Sequence, residues 1–334
     1  MEMEEEGVFS GRRKENPVTQ ENLDLQENSA EREIQNGKSD KTVKPPGPVK
    51  KFFAGIVVSG LILAAFIAIQ LIVGSVFLAV LAAQQMAQNP SVDWEYAVIL
   101  AQSRIYADPI LMPLLTAVAT VCSAFPAVFF YWLIWGRKRT DADRRFFREK
   151  VLKGRVFLII SIAAFGLYYF AVIISAVIAM VSPHIMQQYE DMIELALGED
   201  TIIMLVTTVI AAPVSEECIM RGLILRNLQK YFSVPVTIII QAILFGIFHM
   251  NWVQGLYVLP VGAALGYTAV KCRSVLPCIY MHMFYNLMSV VVAVLPAFFQ
   301  SVLCCVLMPV LCAGLVYYLG KRGGMQDVDS GVQG

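Results

Sequence analysis

Three polar pairs, each spaced four residues apart, interrupt otherwise apolar segments of this chain. Glu217 and Arg221, with Glu216 just before, lie in AAPVSEECIMRG; Phe245 and His249 lie in LFGIFHM; His282 and Asn286 lie in YMHMFYN. Residues at i and i+4 share one face of a helix. An ionisable side chain in hydrocarbon is costly and marks a functional site by default. Two carboxylates, an arginine, two of the chain's three histidines and an asparagine could together activate a water and stabilise the oxyanion that follows. That is the chemistry of a hydrolase working inside a membrane.

The spacing divides the roles. On a helix Glu217 and Arg221 satisfy each other, whereas Glu216 is rotated about 100° away and has no partner on its own helix. A carboxylate buried without a partner holds its proton to higher pH and can exchange it near neutrality. Glu216 is therefore the expected base, and Glu217 with Arg221 the scaffold. The bland alternative is a helix end with solvated charges, but Arg226 and Lys230 put the interface a turn further on. His249 taken alone reads equally well as a structural group. His282 and Asn286 share a face and can both donate to an oxyanion; their alternative is an interhelical hydrogen bond. His184 follows Pro183 in a polar stretch and reads as a surface residue.

These pairs must be held by spanning helices. The chain has 334 residues, 57% of them hydrophobic, with 26 basic and 26 acidic side chains. The charges are segregated, which fits a polytopic membrane protein. Residues 1–51 are polar and end in PPGPVKK, which predicts a disordered cytosolic tail. Hydrophobic spans are expected at 52–84, 109–136, 156–182, 201–225, 234–251, 253–270, 275–295 and 298–320, each near the ~20 residues that cross a bilayer. The predicted fold is an all-α membrane bundle of about eight helices. Pro213 predicts a kink beside the carboxylates, and Gly262 with Gly266 forms a GxxxG step for close packing. Counting from the helix ends puts His282, Glu216 and His249 at different depths, so they meet only if the helices are tilted or offset.

Charge sets the orientation. The 137–155 segment carries nine Lys/Arg against three acids, while 85–108 has only Arg104 and 183–200 has five acids and no Lys/Arg. The positive-inside rule then puts both termini in the cytosol. The acidic start, MEMEEEG, offers no apolar core for a secretory signal peptide. The seven cysteines form no CxxC or CxxxC spacing, which argues against disulfides or a thiolate metal site.

Taken in order, Glu-Glu-x-x-x-Arg, Phe-x-x-x-His and His-x-x-x-Asn, about 33 residues apart, resemble the CPBP family of intramembrane proteases. The family includes CAAX prenyl endopeptidases and lysostaphin-resistance-protein-A-like proteins. The resemblance covers roughly 201–320. Cys218, Ile219 and Met220 depart from it, since many members have an aromatic before the arginine. It implies a helical bundle around a cavity open to the cytosol, with 52–200 as N-terminal helices, 201–320 as the protease domain and 321–334 as a cytosolic tail. Catalytic roles would fall to Glu216, His249, His282 and Asn286, with Glu217, Arg221 and Phe245 in support. Family members have been described both as metalloproteases and as glutamate-dependent proteases. A Zn2+ held by His249, His282 and Glu216 is a ligand set the sequence admits; the metal-free assignment is preferred because an amide such as Asn286 is a poor zinc ligand and a good oxyanion donor. The expected partners are a peptide or protein substrate, CAAX-like or a leader peptide, and the lipid bilayer, with no nucleic acid. A bacterial cell membrane is the expected location. The competing reading is a silent scaffold or bacteriocin-immunity protein of the same fold.

Overall fold

A computed structural model of the chain describes residues 52–197 and 201–322, together with Gly47 and Val49. The predicted tail over 1–51 and the C-terminal tail from 323 onward lie outside the described residues. From Val49 onward the described residues belong to one compact unit.

The described residues fold into eleven helices and no strand. They are α1 (Phe53–Gln88), α2 (Trp94–Ala107), α3 (Leu111–Ile134), α4 (Asp141–Phe146), α5 (Gly154–Val181), α6 (Pro183–Leu197), α7 (201–228), α8 (Val234–Phe248), α9 (Trp252–Cys272), α10 (Leu276–Val294) and α11 (Val302–Arg322). All eight predicted hydrophobic spans are helical. Four of them, α1, α3, α5 and α9, are long and apolar enough to cross a membrane by themselves. The chain is an integral membrane protein with an all-α bundle. Helix α8 stops at Phe248 and α11 begins at Val302, shorter than the spans expected at 234–251 and 298–320.

The segments around 85–108 and 183–200, read from their polarity as outer connections, contain two further helices. Asp93 caps α2 by accepting from the Tyr96 N–H at 2.8 Å. Ala97, Ala101 and Ile105, four residues apart, bury one face of α2 against Leu81 and Ala82 of α1. In the basic 137–155 segment, Thr140 and Asp143 form a capping box that starts α4. The Thr140 hydroxyl, and then its backbone N–H, hold the Asp143 carboxyl below the usual carboxylate range.

Helix α7 is not a regular helix. Leu205–Ala211 and Cys218–Ile224 are each seven-residue π-helical segments, flanking the short α-helical turn Ala212–Glu217. Pro213 sits in the first turn of that α-helical piece, where its missing N–H does least harm. At the far end Asn227 directs its amide at Ala54 O, Gly55 O and Ser59 Oγ, at 3.2, 3.1 and 3.2 Å. This anchors α7 to the start of α1.

Helices α8 and α9 form a tight antiparallel hairpin whose connection is only His249, Met250 and Asn251. Met250 takes a left-handed conformation, φ 51°, and the Asn251 side chain caps α9 by accepting from the Gln254 N–H at 3.1 Å. Glycines let the two backbones touch. A Cβ on Gly246 would lie 2.8 Å from Gly255 O, and one on Gly262 would lie 3.1 Å from the Phe245 ring. Without a strong hydrophobic drive in lipid, such close packing is what holds helices together. Gly246→Ala is therefore expected to push the hairpin apart and cost about 1–3 kcal/mol, seen as a lower melting temperature in detergent. Gly74→Ala, where a Cβ meets nothing within 4 Å, should not lower it. If both variants melt alike, the close approach is not what holds the hairpin.

Candidate active site

Glu217 is the centre of a buried network. Its Oε1 accepts from Arg221 Nη1 at 2.7 Å, and neither side chain is exposed to any degree (0% for both). The same Oε1 accepts from His282 Nδ1 at 2.9 Å. Glu217 thus does more than pair with Arg221: it also orients a histidine from α10. Because a carboxylate serving a guanidinium can only accept, the His282 proton is assigned to Nδ1, leaving Nε2 for the site.

Arg221 joins three helices. Nη2 donates to Gly262 O of α9 at 3.1 Å, and its guanidinium stacks 4.5 Å from the Phe245 ring centroid of α8. That ring meets His249 edge-on at 4.8 Å and His282 at 5.9 Å. Phe245 is therefore a spacer between a buried cation and both histidines. The Gly262 carbonyl also accepts from Gln241 Nε2 at 2.7 Å. Gly266 makes room for that amide, since a Cβ there would lie 2.6 Å from Gln241 Nε2. The GxxxG step thus accommodates a polar hub as well as a close backbone approach.

Glu216 is placed differently. Its side chain is 16% exposed, and Oε2 is 3.9 Å from His282 Nε2, beyond hydrogen-bond reach. Glu216 Oε2 is buried without a hydrogen-bond partner. His249 follows the last residue of α8; its Nδ1 donates to Phe245 O at 2.8 Å, and it lies within electrostatic range of both Glu216 and His282. The structure thus gathers Glu216, Glu217, Arg221, Phe245, His249 and His282 around one spot.

Asn286 sits one turn beyond His282, and its Nδ2 donates to Thr208 O of α7 at 2.7 Å. In the π register, the N–H that would serve this carbonyl is five residues on. That residue is Pro213, which has no N–H to give. One amide hydrogen of Asn286 is used in this way; the other is not committed by that bond.

Two residues near the site escaped the sequence reading. Gln241 lies on the same face as Phe245 and His249, and continuing the four-residue spacing backwards would have found it. Tyr257 of α9 lies within electrostatic range of Glu216 and shares a 2.8 Å hydroxyl–hydroxyl hydrogen bond with Tyr189 of α6. An aromatic in an apolar helix carries no such signal. Through this bond, and Asn251 Nδ2 donating to Met192 Sδ at 3.8 Å, α6 lies against the hairpin beside the site.

Among the described residues no three His, Cys, Asp or Glu side chains stand close enough, as placed, to form a metal group. By donor type the site nevertheless fits zinc. Both histidines are held through Nδ1, one by a carboxylate and one by a backbone carbonyl, as zinc-ligating histidines usually are. Glu216 adds a buried carboxylate oxygen with no hydrogen-bond partner.

Residues 198–288 match the family described as type II CAAX prenyl endopeptidase Rce1-like. The match spans all three polar motifs and supports the resemblance read from them. No curated protein and no solved structure matched the chain.

Proposed function

We propose that the chain is an intramembrane endopeptidase in which Glu216 activates the attacking water. The observation that carries this reading is the contrast between neighbours: Glu217 Oε1 is bound by both Arg221 and His282, leaving only its Oε2 without a partner, while Glu216 Oε2 lies buried with no hydrogen-bond partner and His282 Nε2 3.9 Å away. Glu216 takes the proton of a water placed beside His249 and His282, and the hydroxide attacks the peptide carbonyl. The second amide hydrogen of Asn286 and a protonated His282 Nε2 donate to the oxyanion. Glu216 then returns the proton to the leaving amine. A zinc ion held by His249, His282 and Glu216 would supply a water ionised near neutral pH.

The substrate is read as a membrane-associated peptide, CAAX-like or a leader peptide. The protein is read as lying in a bacterial cell membrane, and the basic 137–155 segment supports placing both termini in the cytosol. Residues 201–320 form the protease part, with 52–200 as its N-terminal helices.

A peptide library in detergent, presented to the purified protein, tests the reading and distinguishes it from a silent scaffold, which would cleave nothing. Asn286→Ala is expected to lower turnover about 10²–10³-fold with substrate affinity little changed. A change confined to KM would remove Asn286 from the oxyanion site. One zinc per active chain, lost in His282→Ala, would overturn the metal-free assignment.

A further inference from the structure

Helix α6 packs beside the site, yet none of its described side chains is fully buried. Met186, Tyr189, Ile193 and Ala196, spaced three and four residues apart, form a half-buried seam, while Gln187, Gln188, Glu190, Asp191 and Glu194 are exposed. A seam this shallow buries little apolar area, and segments of that kind open at the low end of a protein's stability. One residue, Ser182, separates α6 from α5, and its backbone (φ −146°, ψ 77°) is not helical. Element-terminal positions of this sort are where hinges sit.

What ties α6 down is a polar contact at its middle. The Tyr189 and Tyr257 hydroxyls share their 2.8 Å hydrogen bond with ring centroids 6.3 Å apart and planes at 72°. The Asn251 contact to Met192 Sδ, at 3.8 Å, ends on a thioether, a weak acceptor. Among the described residues these two are the side-chain hydrogen bonds between α6 and its neighbours. The tyrosine bond falls where α6 and the site meet. Tyr257 lies within electrostatic range of Glu216 and of Tyr285, and Tyr285 within range of Tyr189. Tyr285 follows His282 by three residues and immediately precedes Asn286. Three hydroxyl-bearing rings, from α6, α9 and α10, thus line one flank of the site. A hydroxyl both donates and accepts, so the Tyr189–Tyr257 bond can be exchanged for bonds to water or to an entering molecule without stranding either group.

We infer that α6 is a hinged cover on the α9 flank of the site, latched by the Tyr189–Tyr257 bond, and that its release opens a way to Glu216. The consequence for turnover rests on the reading of that site as proteolytic; the movement itself does not. A closed α6 keeps bulk water from the carboxylate, and an open one leaves the Tyr257 hydroxyl free to donate toward what enters.

Amide hydrogen exchange of the full chain in detergent reads the latch. Tyr189→Phe and Tyr257→Phe each delete one hydroxyl and keep the ring. Each is expected to speed exchange across α6 about two- to tenfold, the worth of one neutral hydrogen bond. Tyr280→Phe, which deletes a 2.7 Å bond to Ser161 Oγ between α10 and α5, should leave α6 exchanging as in the wild type. Alkylation by N-ethylmaleimide reads access to the site. With Glu216→Cys as the reporter, adding Tyr189→Phe is expected to speed alkylation of that thiol by a similar factor, measured against the exposed Cys122. Unchanged exchange in both tyrosine variants, or an equal response to Tyr280→Phe, overturns the latch; unchanged alkylation overturns the cover. If exchange and alkylation respond in a chain that cleaves no peptide, the cover stands and the proteolytic reading alone falls.

Discussion

Glu216→Gln is expected to stop peptide-bond hydrolysis, with turnover falling about 10²–10⁴-fold, the usual worth of a general base. The melting temperature should stay the same or rise. Both halves of this expectation come from one atom: Glu216 Oε2 has no hydrogen-bond partner to lose, so an amide of the same shape breaks nothing. Turnover and melting of the purified protein in detergent read the two halves separately. Turnover like the wild type's would remove Glu216 from the chemistry. A protein that loses its fold instead would make Glu216 part of the scaffold.

Glu217→Ala should fail in another way. It strands a guanidinium of 0% exposure, and breaking a buried pair from one side costs roughly 3–5 kcal/mol. That is a large share of the 5–15 kcal/mol by which a typical domain is stable. Replacing such a pair with apolar side chains can be close to neutral, so adding Arg221→Leu should restore part of the stability. Activity should not return with it. His282 Nδ1 would still lack the oxygen that orients it at 2.9 Å. A double variant no better folded than Glu217→Ala would show that the pair is not a buried couple. A double variant with full turnover would show that His282 needs no such orientation.

What could be read from the sequence was what is local to one helix. The Glu217–Arg221 pair, the separation of Glu216 from it and the shared face of His282 and Asn286 follow from helical spacing. Their meeting does not. His282 is the seventh residue of α10, Glu217 is eleven residues before the end of α7, and His249 lies just past the end of α8. Only the relative offset of packed helices brings these together, and that offset is set by contacts such as Gly246 on Gly255. Helices α2 and α6 were missed because their charged residues drowned out an apolar face one residue in four. The basic 137–155 segment was visible as charge, but the placement of the Arg139 guanidinium 5.3 Å over the Phe147 ring was not. The π segments of α7 leave no mark in composition.

Those π segments bear on what position along α7 means. An α-helix turns about 100° per residue, and a π turn accommodates an extra residue. Nine residues separate Glu217 from Asn227, and seven of them, Cys218–Ile224, are π-helical. They act as a phase adjuster, letting the carboxylates face α10 while Asn227, further down the same rod, faces α1. Removing one residue there would shorten the rod by only about 1.5 Å but swing the Asn227 end by roughly 100°. The two ends of α7 are thus aimed independently, and the residue count between them, more than the residues themselves, sets the angle.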